Sequence, residues 1–304
     1  MTQATTAADF DQLGIAQRPG GWVRAWQRTG KFARRQPLGF AGAVIIVLLM
    51  LTALLAPMLA PFHPNEISAD RIVAPGERGH LLGTDSFGRD VLSRIMYGAR
   101  VSITVGFLAV GLSTVLAVFI GVLPGYFGGW LDSIVQRFVD ALMAFPGLVL
   151  LVALVAVFGP GMTQLILILG VVGSAGGARV FRSAVLGIRS NAYLEAVVAL
   201  GASHSRVILS HVLPNIFAPM MISVTVSLGG IILAEAGLSF LGLGVPPPAS
   251  SWGNMLSVDG RRFMLTAPWL AIVPGIAITL VVFAFNMLGD SLRDVLDPRM
   301  RGRR

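Results

Sequence analysis

Between Leu38 and Ala60 the chain carries a nearly uninterrupted apolar run of 23 residues. A helix needs about 20 residues to cross ~30 Å of hydrocarbon, and in lipid every backbone N–H and C=O must find its partner inside the segment. A run of this kind commits the chain to a bilayer. Four further apolar stretches follow at Val101–Leu123, Val139–Phe158, Ile216–Leu241 and Ala267–Leu288. A fifth, Met162–Val180, is shorter and its second half is glycine-rich, yet Gly170 with Ser174 and Gly173 with Gly177 repeat the small-x-x-x-small spacing that lets membrane helices approach closely. The expectation is an all-α integral membrane protein of about six transmembrane helices. Composition agrees: 55% hydrophobic and 12% charged residues, with mean hydropathy +0.77, leave too little polar surface for a soluble domain.

Six spans put both ends on one side, and the arginines say which. The N-terminal tail, residues 1–37, holds Arg18, Arg24, Arg28, Lys31, Arg34 and Arg35. The C-terminal tail, residues 289–304, holds Arg293, Arg299, Arg301, Arg303 and Arg304, and the Arg179–Arg206 island is also basic. These fall together and predict cytoplasmic N and C termini. The segment 61–100 balances its arginines with Glu66, Asp70, Glu77, Asp85 and Asp90 and is assigned to the outer, periplasmic side with Val245–Thr266. The first span is 38–60, and a core of five spans occupies 101–288. A net charge of +8 spread over loops beside apolar spans reads as membrane topology, not nucleic-acid binding. Trp22 and Trp26 among arginines fit either an interfacial helix on membrane lipid or a solvated tail.

The stretch 191–215, NAYLEAVVALGASHSRVILSHVLPN, is a polar island between apolar spans. Asn191 is placed to cap a helix in which Tyr193, Ala196, Val197 and Leu200 form an apolar stripe. Gly201 supplies a turn, Ser203 can cap a second helix with Ile208–Val212 and Leu209–Leu213 pairs, and Pro214 is expected to stop it at Leu213. Periodicity leaves two readings open, a docking hairpin or an amphipathic loop lying on the membrane.

Glu195-Ala196, Gly201 and Leu213-Pro214 resemble the EAA coupling loop of prokaryotic ABC importer permeases, with Val197 at the third letter of the triplet and His211 where many members have isoleucine. Three other stretches resemble the C-type permease of the dipeptide, oligopeptide and nickel branch. These are His80–Asp85 with Gly88–Arg94 and Tyr97–Arg100; Asp140, Phe145-Pro146 and Gly159–Gly161; and Glu235–Gly244 followed by Trp252-Gly253. The resemblance covers nearly everything after Leu38, in order. It implies a non-catalytic permease subunit of the bacterial inner membrane, working by alternating access. A homologous second permease, two cytoplasmic ATP-binding subunits and an extracytoplasmic substrate-binding protein are the implied partners. Glu195, Ala196, Gly201, Leu213 and Pro214 would then couple to the ATPase, and Glu235, Asp140 and Pro146 are candidates for the pore or outer gate.

The residues alone are less specific. Asp85 and Asp90 beside Arg89 and Arg94 read first as a solvated charge cluster capping a surface helix, with metal or acidic-substrate binding as the alternative. Glu235, about nineteen residues or roughly 28 Å into its helix, falls near the outer interface, which leaves snorkelling or loop capping open beside a substrate or proton site. Zero cysteines exclude disulfides and thiolate sites. Lys31, the only lysine, lacks the flanking residues of a P-loop, so any ATP-driven motor must be another polypeptide. His63, His80, His204 and His211 lie outside the spans, which argues against an intramembrane hydrolase. No cofactor, metal or catalytic residue is expected. An ion-coupled secondary transporter, with helices broken at Pro146 or Pro274, is the remaining alternative.

Overall fold

The computed structural model describes residues 33–296. Residues 1–32, with the Trp22 and Trp26 segment, and residues 297–304 of the basic tails lie outside the described residues. Among the described residues the only β structure is two isolated bridges, Glu77–His80 and Thr84–Asp90. Five helices are long and apolar enough to cross a membrane, or six if one bent pair counts as a span, in agreement with the expected number.

Helix α1, Pro37–Leu59, runs through Pro57 and closes at Ala60, whose N–H donates to the Ala56 carbonyl as the chain turns extended. Pro57 forfeits its own hydrogen bond in the last turn without breaking the helix. Helix α2, Val91–Phe127, begins ten residues before the expected Val101. Asp90 sets that start: its carboxylate accepts from the Ser93 N–H and hydroxyl, both at 2.8 Å. At 37 residues α2 is about 56 Å long, so it must project beyond ~30 Å of hydrocarbon.

The expected span Val139–Phe158 is bent sharply at Pro146. Helices α3, Gly129–Ala144, and α4, Gly147–Phe158, meet at 92°. Pro146 has no N–H to give and forces Phe145 extended, at φ −88° and ψ 142°, so the helix cannot pass.

The glycine-rich stretch becomes α5, Met162–Arg189, whose apolar window is the most buried of the candidate spans, at 44%. Its small residues make the seam with α2. An ideal Cβ on Gly173 would meet the Ser113 hydroxyl at 3.3 Å, one on Gly177 would meet Ala117 Cβ at 3.0 Å, and one on Gly121 of α2 would lie 2.5 Å from the Ala178 carbonyl oxygen. Glycine is what permits this approach.

Helix α6, Ala192–Ala199, leads through Gly201 into α7, His204–Phe240. Pro214 was expected to separate a short helix from the span; instead the chain is continuously helical through it. A π turn at Ile208–Val212, with the Leu213 N–H donating to the Ile208 carbonyl, immediately precedes Leu213-Pro214. The wider turn draws away the carbonyl that would clash with the ring, and the missing N–H falls where the hydrogen-bond register changes. The same Val-Leu-Pro sequence follows a π turn in α2, at Val118–Val122. Helix α8, Trp252–Met255, continues through a π turn at Leu256–Gly260, and α9, Trp269–Leu296, closes the bundle.

Helix α9 runs antiparallel to α7, with Gly229 against the Val282 carbonyl and Gly289 against Val226. The α1 N-terminal and α9 C-terminal ends meet where Gln36 donates to Asp294 at 3.4 Å. Helix α6 is at that same end. The opposite end is capped by residues 60–90 and 250–266. Trp252 donates its indole N–H to the Ile95 carbonyl at 3.0 Å, Ser250 donates to the Arg94 carbonyl at 3.1 Å, and Ser86 donates to Asp259 at 2.5 Å.

Candidate coupling site and translocation residues

At the α6 end, the hairpin is gripped from beneath. Leu194 is 4% exposed and packs with Val197 into a cluster formed by Phe181, Val185, Val207 and Ile208. Tyr193, Ala196 and Leu200, three members of the expected stripe, face outward instead; Leu200 is 88% exposed. Asn191 and Ser203 occupy the N-cap positions, but neither side chain bonds the backbone there. Gly201 holds φ +83° with nothing near its missing Cβ, so its requirement is conformational and not steric. A second tie crosses from tip to base: Asn215 donates to the Tyr193 hydroxyl at 3.0 Å and to the His211 carbonyl at 2.6 Å.

Glu195 is exposed on the rim of a groove of about 500 Å³ between α6 and the ends of α2 and α5. Tyr126, Phe127, Arg189 and His204 line it, with the Tyr126 hydroxyl 3.0 Å from His204 Nδ1. Glu195, Ala196 and Gly201 therefore share the projecting tip, whereas Leu213 and Pro214 form its joint with the span. Leu194, Asn215, Tyr126 and His204 were not singled out by sequence. Leu194 falls off the stripe that periodicity selects, and the other three depend on contacts from distant elements.

Glu235 neither snorkels nor faces open space. Its side chain has no exposed surface; Ser102 of α2 donates to Oε2 at 3.1 Å and Ser239 donates to Oε1 at 2.7 Å. Ser251, 3.4 Å from the Ser239 hydroxyl, extends the group to the cap. Three elements are thus joined around one carboxyl group. Asp140 is exposed and pairs with Arg179 at 2.5 Å, while Pro146 sits in the exposed elbow between α3 and α4. The three candidates for pore or gate are not brought together.

The charged group expected to be a solvated cluster is in fact buried: Asp85, Asp90 and Arg94 are 3%, 2% and 5% exposed. Asp85 accepts from the Phe87 and Arg89 N–H groups and from Arg89 Nε at 2.6 Å, with Arg94 Nε at 3.6 Å. Asp90 takes a further contact from His80 Nδ1 at 2.9 Å. Each acid already has partners, so the arrangement holds the cap together by satisfied charge. Asp259 belongs to the same group, and burial pushes its carboxyl above the usual aspartate range.

Residues 117–302 match the family model described as binding-protein-dependent transport system inner membrane component, and residues 22–75 match the N-terminal transmembrane domain of oligopeptide transport permease C. The chain is 39% identical over 280 residues to the dipeptide transport system permease protein DppC of Alkalihalophilus pseudofirmus, covering 92% of this chain and 91% of that protein. It is 37% identical over 282 residues to the glutathione transport system permease protein GsiD of Escherichia coli, with the same shares covered. Two solved structures share the fold at low identity. One is an amino acid ABC transporter (TM-score 0.51, 17% identity, 67% of this chain and 95% of that one). The other is the inward-facing MetNI methionine ABC transporter (TM-score 0.53, 18% identity, 68% and 96%). The ion-coupled alternative finds no support among these relatives. Apolar spans, a helical bundle and this similarity over most of the length converge: the chain belongs to the binding-protein-dependent inner membrane component family, the non-catalytic, multi-pass permease subunits of ABC importers, in which ATP is hydrolysed by a separate subunit.

Proposed function

We propose that this permease is the C-type subunit of an importer for small peptides, that α6 and its turn dock in a cleft of a cytoplasmic ATPase, and that both chain termini are cytoplasmic. The observation that carries the docking reading is Leu200, 88% exposed at the tip of a hairpin whose other face is buried. A large apolar side chain presented on a rigid support is what a binding partner can cover at a net gain. Glu195 adds a polar contact beside it, and Gly201 with the Leu213-Pro214 joint keeps the geometry rigid. The dipeptide and glutathione relatives support a small peptide in preference to nickel as cargo. A homologous permease would supply the other half of the pore, two ATPases the motor, and an extracytoplasmic binding protein the substrate.

The coupling follows from how α7 is built. Because α6 packs through Leu194 and Val197 on Val207 and Ile208, and the helix is continuous from His204 to Phe240, a force applied at α6 reaches the span through that packing. Closure of the ATPase pair would carry the two permease hairpins with it and rock the spans outward, so that the cavity faces the binding protein. Gly201→Val, Glu195→Lys and Leu200→Asp test this in the purified importer. Each should insert normally, lose co-purifying ATPase and abolish uptake. Wild-type uptake by all three would refute the docking reading.

A further inference from the structure

The geometry points to a phospholipid site between α1 and α2, with the headgroup held by Arg100 and Asn65. Along the outside of the bundle these two helices enclose an apolar groove of about 540 Å³, lined by Met50 and Leu54 of α1 and by Ile103 and Thr104 of α2. Arg100 stands at one end of it. Leu54, which shares the groove with Arg100, is five residues from the end of α1, about 8 Å along the axis, so the long Arg100 side chain is within snorkelling reach of the headgroups. Among the described residues Arg100 has no acidic partner within 4.0 Å, and it is exposed.

Arg100 also borders a second cavity, of about 280 Å³, on the cap side of the groove, with Asn65, Tyr97 and Ser250 around it. Asn65 Oδ1 is buried there with no hydrogen-bond partner. An unpaired cation and an orphaned acceptor border one cavity, and Arg100 also borders the apolar groove, so one ligand can meet both polar groups and cover the groove. A phosphodiester neutralises Arg100. A headgroup N–H or O–H satisfies Asn65, and an acyl chain covers Met50 and Ile103. Phosphatidylethanolamine and phosphatidylglycerol have such a donor; the trimethylammonium of phosphatidylcholine does not.

The test is native mass spectrometry of the full-length chain, extracted in mild detergent with the subunits that accompany it and titrated with each phospholipid. The wild type should retain one phospholipid and prefer phosphatidylethanolamine to phosphatidylcholine. Arg100→Gln should lower retention about tenfold, the loss expected for one charge-assisted hydrogen bond, and Arg100→Lys should restore most of it. Asn65→Leu should abolish the preference between headgroups, and Thr104→Phe should lower binding of all phospholipids by filling the groove. Full retention by Arg100→Gln, or an unchanged headgroup preference in Asn65→Leu, would overturn the site. So would cross-linking of Met50→Cys to another subunit, which would make the groove a protein interface.

Discussion

Gly121 and Gly111 lie on the same helix, and the structure assigns them opposite responses to alanine. An ideal Cβ at Gly121 would sit 2.5 Å from the carbonyl oxygen and 2.9 Å from the Cα of Ala178, both backbone atoms. Ordinary contact begins near ~3.5 Å, so α2 and α5 would have to part by about 1 Å at their most tightly packed seam. Overpacking of this kind costs about 1–3 kcal/mol, and the helix-propensity gain of roughly 1 kcal/mol offsets only part of it. Two backbone atoms inside 3.0 Å put Gly121 in the upper part of that range, about 2–3 kcal/mol, so Gly121→Ala should lose about 1–2 kcal/mol net. At Gly111 nothing lies within 4 Å of the added atom, so Gly111→Ala should be neutral or gain up to about 1 kcal/mol. Denaturant titration of the two purified variants measures the difference. The same shift has a functional readout. The half of α5 beyond Ala178 carries Phe181 and Val185, on which Val207, Ile208 and the α6 hairpin rest, so if that hairpin docks the ATPase as proposed, uptake should fall in Gly121→Ala and not in Gly111→Ala. Equal stability of the two variants would refute the reasoning about the seam.

Glu235→Leu removes the acceptor of the Ser102 and Ser239 hydroxyls and should cost about 2–4 kcal/mol, whereas Glu235→Gln keeps one carbonyl oxygen and should cost about 1 kcal/mol or less; indistinguishable unfolding midpoints would show that the three-element joint contributes nothing. Asp259 predicts a pH effect. Burial chiefly, and then the Asp85 charge, raise its folded pKa against the opposing Ser86 hydrogen bond and the Arg89 and Arg94 charges. The folded state therefore holds this proton more tightly than the unfolded chain, whose aspartate titrates at about 3.9. Its contribution is complete below that value and is lost as pH rises through the raised folded pKa. Wild type should lose thermal stability relative to Asp259→Asn as pH is raised from the ordinary aspartate value, and parallel curves would contradict the sign.

What was legible in the sequence was whatever depends on the solvent a segment requires. Apolar runs long enough to cross hydrocarbon have few alternatives, so Leu38–Ala60 and its successors announced a bundle of about six spans. The spacing of Gly170, Ser174, Gly173 and Gly177 announced a close helix contact before its partner was known. The exposed turn at Gly201 was equally local, since it follows from backbone freedom at one residue.

Tertiary structure decided what became of residues whose local tendencies allowed two outcomes. Pro146 breaks its helix at 92°, and Pro214 does not break its own. The difference is the π turn at Ile208–Val212, which absorbs the register change ahead of Pro214; no such turn precedes Pro146 in α3. Polar residues divide in the same way. Asp85, Asp90 and Glu235 read as surface or interface groups because composition cannot tell which neighbours will cover a charge; the cap folding onto the start of α2 buried Asp85 and Asp90 with partners, and the packing of α2 on α7 buried Glu235 with Ser102. Leu194, with Val197 alone of the stripe chosen by periodicity, anchors α6, because Val207 and Ile208 approach from only one side. Hydropathy and backbone chemistry belong to a segment and could be read from it; burial and pairing belong to contacts between segments and appear only when those segments meet.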